Sequence, residues 1–151
     1  MPEPVEYRDL ADIERVVQRF ESCAYTTSEF SHARHLTVAA WYLSQMQFDL
    51  ALTRMREYLL RFTSYHGVKG YHETITRFWL ELVRGFLEAC DPALPLPERV
   101  NELVRRFPRK DTIFEFYSRE RLMSEVARMG WLEPDLQGLD GTSMSGGPKM
   151  Q

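Results

Sequence analysis

Residues 71–89 run YHETITRFWLELVRGFLEA. Ile75, Trp79, Leu82, Val83 and Phe86 recur at steps of three and four, the spacing that lines side chains along one face of an α-helix. The segment is predicted to be a helix that opens around Tyr71–Glu73, closes at Ala89 and turns that stripe inward. Upstream, Gly67-Val68-Lys69-Gly70 breaks the chain. Downstream, three prolines between Asp91 and Pro97 stop one helix and leave Pro97 early in the next, where its missing N–H is harmless.

The same period governs the rest of the chain. A first helix is expected over about Arg8 to Ser22, with Leu10, Ile13, Val17 and Phe20 on its stripe, followed by a threonine- and serine-rich loop at Tyr25–Ser28. A second runs from near Ser31 to Met46 on Leu36, Ala39, Ala40 and Leu43. Asp49 is placed to cap a third, carrying Leu52, Met55, Leu59 and Phe62. A short fifth helix spans Pro97 to Phe107, with Val100, Leu103 and Val104 inward, and Pro108 ends it. Asp111 to Tyr117 reads equally as a helical turn or an extended run. Ser118 is placed to cap a last helix reaching Met129, with Gly130 at its C′ position, after which Trp131-Leu132 folds back onto the core. From Gln137 onward apolar content collapses, so residues 138–151 are expected to be a disordered tail. The architecture is an all-α, single-domain bundle of four to six helices over residues 1–137.

A chain of 151 residues with 44% hydrophobic content is long enough for one domain with a real core, which excludes collagen-like and fully disordered classes. Nineteen basic against twenty-two acidic residues leave no basic excess, so nucleic acid is not an expected partner. Cys23 and Cys90 form neither a disulfide framework nor a CxxC spacing and read as small buried thiols. The N-terminus lacks the basic and apolar regions of a signal peptide, and no stretch approaches the roughly 20 apolar residues of a bilayer span. A cytoplasmic protein without a membrane partner is therefore expected. Phosphate-binding glycine loops and the GxSxG elbow are both missing.

Chemistry-bearing residues cluster instead around histidine. All four, His32, His35, His66 and His72, fall between residues 32 and 72. His32 and His35 are three apart, which stacks them one turn apart on a helix face. His72 and Glu73 head the helix after the glycine break, where unpaired backbone N–H groups favour an anionic neighbour. If the second and fourth helices run parallel in an up-down bundle, His32, His35 and His72 come level. Three imidazoles plus a carboxylate or water make a competent site for zinc or iron(II). The signatures of the helical metalloenzymes are not met, since there is no HExxH, no second ExxH and no His-Asp pair. His66, at the end of the third helix, reads as a partner of that helix's C-terminal dipole.

The elements Phe30-Ser31-His32-Ala33-Arg34-His35-Leu36, Met55-Arg56, Tyr71-His72-Glu73-Thr74 and Tyr117-Ser118-Arg119-Glu120-Arg121-Leu122, with the Trp131-Leu132-Glu133-Pro134 end, resemble a family of small all-helical bacterial proteins. The resemblance extends from about Phe30 to Leu136. It implies a shared fold and carries no activity with it.

Two functions follow as expectations. In the first, His32, His35 and His72 bind one divalent transition metal, zinc or iron(II). Glu73 is then the fourth ligand or a general base, and Tyr71, Thr76, Arg77, Tyr117 and Arg121 contact a small organic substrate. In the second, the chain is a non-catalytic helical module that binds a protein or small molecule. Both leave homo-oligomerisation open.

Overall fold

The computed structural model describes residues 6–139. The chain forms α1 (Leu10–Glu21), α2 (His32–Gln45), α3 (Phe48–Tyr65), α4 (Glu73–Ala89), α5 (Leu96–Arg106), a 3-10 helix (Lys110–Glu115), α6 (Arg119–Leu122) and α7 (Glu125–Met129). No strand occurs among the described residues. The fold is the all-helical one that the apolar spacing predicts.

Helix α2 is the hub and touches α1, α3, α4 and α5. Its sequence reflects that position, because Leu36, Thr37, Val38, Ala39, Ala40 and Tyr42 are all buried and no broad polar face remains. Helix α4 packs on α2, α3, α5 and α7, so its buried surface is wider than the predicted stripe. Thr74, Thr76, Phe78 and Leu80 join Trp79, Leu82, Val83 and Phe86 inside, while Ile75 is only half-buried.

Local signals set most helix starts. Asp9 caps α1 through the amide of Asp12 at 3.0 Å, and Ser31 caps α2 through that of Arg34 at 3.3 Å. Helix α3 departs from expectation, since its N-cap is Gln47 with no side-chain cap, and Asp49 lies in its first turn. There the carboxylate complements the helix dipole instead. Residues Asp111 to Glu115 resolve as part of the 3-10 helix. The single last helix becomes two because Ser124 intervenes. Its hydroxyl donates to the Arg121 carbonyl at 2.7 Å and accepts from the Ala127 amide at 3.1 Å, closing α6 and capping α7. Gly130 follows α7 in an extended conformation, so it is not the left-handed C′ glycine expected from sequence.

That left-handed geometry appears at two other helix ends. Gly67 has φ +66 after α3, with the Val68 amide donating to the Thr63 carbonyl at 3.0 Å. Cys23 takes φ 61 after α1, an uncommon conformation for a residue with a Cβ, and its side chain is buried. Both cysteines are free, and Cys90 is only half-buried. Of the expected tail, Gly138 and Leu139 are described, and Leu139 packs against the core. The remainder, 140–151, lies outside the described residues. No described helix is long and apolar enough to cross a membrane.

Candidate functional site

The structure does not gather the three imidazoles. Among the described residues, no three His, Cys, Asp or Glu side chains are grouped so as to hold a metal ion. His32 points its Nε2 at the Phe107 carbonyl, 3.0 Å away, and sets its ring edge-on to Trp79. Burial lowers its pKa. His35 turns toward Phe30, ring centroids 5.6 Å apart, and Phe30 in turn packs on Phe20 and Phe62. Burial, with a smaller contribution from His32, pushes it down to about 4. His72 is engaged at both nitrogens: Nδ1 accepts from the Ile75 amide at 3.1 Å as the cap of α4, and Nε2 donates to the Leu122 carbonyl at 2.8 Å. Both His72 nitrogens are thus engaged, and the three histidines expected from spacing to share a metal are not grouped among the described residues. The level arrangement of helix starts is not enough when a ring is already spent on capping.

His66 is the C-terminal cap residue of α3, its ring tilted against Phe62 at 4.6 Å between centroids. Its Nε2 is buried with no partner among the described residues. Glu29, three residues before His32, turns back to accept from the Thr26 amide at 2.9 Å.

Tyr117 and Arg121, read from sequence as substrate contacts, make bonds in a polar clasp that ties residues 130–135 to α4, to α6 and to the residues just before α6. The Thr74 hydroxyl, fully buried, donates to the Gly130 carbonyl at 2.7 Å and accepts from the Leu132 amide at 3.1 Å. The Tyr117 hydroxyl donates to the Leu132 carbonyl at 2.6 Å, and burial raises its pKa. Arg121 Nε reaches the Glu133 carbonyl at 2.7 Å, while Asp135 accepts from the Ser118 amide at 2.8 Å. Thr76 is buried and spends its hydroxyl on the His72 carbonyl at 2.9 Å. Trp131 does fold back, packing against the core with the Arg77 guanidinium 4.5 Å from its ring centroid.

Tyr71 and Glu73 end up elsewhere, in an open cleft of about 620 Å³ walled by Arg56 and Leu60 of α3 and by Arg128, Met129, Gly130 and Trp131. Arg56 grips Glu73 with both ends of its fork, Nε to Oε1 at 3.0 Å and Nη2 to Oε2 at 2.7 Å. The Tyr71 hydroxyl adds a bond to Oε1 at 2.6 Å. Arg56, and then Tyr71, hold the Glu73 carboxyl below the usual carboxylate range, while burial and Glu73 push the Tyr71 phenol up. Arg128 is aimed by one bond, Nη1 to the Tyr71 carbonyl at 2.8 Å, and its other donors meet no acceptor among the described residues. Sequence reading gave Arg128, Met129 and Leu60 no role, because no local pattern marks a residue that meets Tyr71 and Glu73 only when α3 and α7 pack beside the start of α4.

No family model matches the chain, and no curated protein or solved structure matches it.

Proposed function

We propose that this chain is a non-catalytic helical binding module whose cleft between α3, α4 and α7 takes a small organic molecule. The observation that carries the reading is the state of Glu73. Arg56 and Tyr71 occupy both of its oxygens and keep it ionised, which makes it a poor proton acceptor and a fixed wall of the cleft. The cleft's volume lies in the range of small-molecule sites, and it joins a few convergent polar groups to an apolar wall.

The test is nitrogen-15 NMR of the full chain against a panel of small organic acids, alcohols and amines. Saturable shifts at Gly130 and the Trp131 indole are expected from at least one class. Silence at those positions across the panel overturns the reading. So does near-stoichiometric zinc or iron in protein purified without a histidine tag, lost in His32→Ala, which would favour a metal enzyme.

A further inference from the structure

Resting on that reading, we infer that the ligand of the cleft is an amphipathic organic monocarboxylate, its carboxylate on Arg128 and its apolar body against Met129 and Trp131. The charge balance argues for one negative charge. Arg56 and Arg128 bring two guanidiniums to the cleft and Glu73 one carboxylate, so a single positive charge stays uncompensated. Arg77, beside Trp131, spends its Nε on Glu81 at 3.1 Å, a carboxylate it shares with Arg84, and does not line the cleft. A dianion such as phosphate meets Glu73 as a like charge, whereas a monoanion matches what remains.

The shape of the donors selects further. The planar fork of Arg128 is oriented by its bond to the Tyr71 carbonyl, and its remaining N–H groups match the two oxygens of a carboxylate. A fork held in place before binding loses less freedom on capture. Beside it, Met129 is 73% exposed and Leu60 45% exposed, an apolar surface that a hydrocarbon or aromatic body covers. Met129 also offers the polarizable thioether that packs well on rings.

The experiment titrates the full chain with hexanoate, phenylacetate and indole-3-acetate, each against its alcohol, and with inorganic phosphate, following Gly130 and the Trp131 indole by NMR. At least one carboxylate is expected to bind about tenfold more tightly than its alcohol, the value of one charge-assisted pair. Phosphate is expected to bind more weakly still. Arg128→Gln should remove that preference, and Arg128→Lys should restore only part of it. Because Arg128 also holds Tyr71, Met129→Glu serves as a second variant: it alters an exposed side chain, leaves the fold intact and should repel the carboxylates. Equal binding of acids and alcohols, or tighter binding of phosphate, overturns the inference while leaving the module reading in place. No shift with any compound overturns both.

Discussion

His35 and His72 both stand at or near the first turn of a helix, α2 and α4, and their surroundings could hardly differ more. His72 is enclosed by hydrogen bonds, giving one ring nitrogen to Leu122 and taking the Ile75 amide on the other. His35 packs against the Phe30 ring and is driven toward its neutral form. One imidazole contributes stability by satisfying backbone groups. The other makes stability depend on pH. The same residue type near two helix starts therefore plays different energetic roles, decided by what packs across from it.

The sharpest way to break this comparison is to remove the ring of His72. His72→Ala deletes the cap of α4 and leaves the Leu122 carbonyl without its donor, so a loss of about 3 kcal/mol is expected in urea unfolding. His72→Asn keeps a capping side chain and should recover about 1 kcal/mol of it. A loss under about 1 kcal/mol in the alanine variant would mean that the two bonds contribute little.

The contrast predicts the pH response of His35. Its folded pKa of about 4 lies below the ordinary value of 6.5, so between those limits the unfolded chain binds a proton that the folded chain does not. Stability must then rise with pH across that window and fall as the solution is acidified. From pH 7 to pH 5 the loss assigned to this one ring is about 2 kcal/mol. His35→Leu should flatten that slope, read from urea midpoints at the two pH values. Below pH 5 the carboxylates held low by partners, Glu73 on Arg56 among them, add their own acid sensitivity.

A milder cut tests the clasp on residues 130–135. Tyr117→Phe removes only the bond to the Leu132 carbonyl and keeps the buried ring, so about 1 kcal/mol is expected. Hydrogen exchange at Leu132 should rise more than at α2. Uniform exchange across the molecule would mean that the C-terminal segment does not open on its own.

How much of this was legible beforehand depends on the range of the interactions. The helices of residues 8–107 follow from apolar spacing, because the stripe and its caps are contained within a few residues of sequence. The helix start near Ser31 and the cap at Ser118 follow for the same reason. The break at Ser124 did not, since serine reads equally well inside a helix and at its start until its hydroxyl finds the Arg121 carbonyl. The candidate site was half legible. Tyr71 and Glu73 stood out as a polar pair at a helix head, yet their partner Arg56 lies seventeen residues upstream of Glu73 and Arg128 lies across the fold.

By itself the sequence determined the helical class, the placement of the five long helices and the concentration of histidines near two helix starts, because periodicity and capping are local physics. Only the tertiary structure decided that His72 spends both nitrogens on backbone, that His35 faces the Phe30 ring, and that Glu73 meets Arg56 at the edge of a cleft. Each of those outcomes depends on a carbonyl, a ring or a guanidinium contributed from elsewhere in the chain, and spacing along a helix carries no record of what will pack against it.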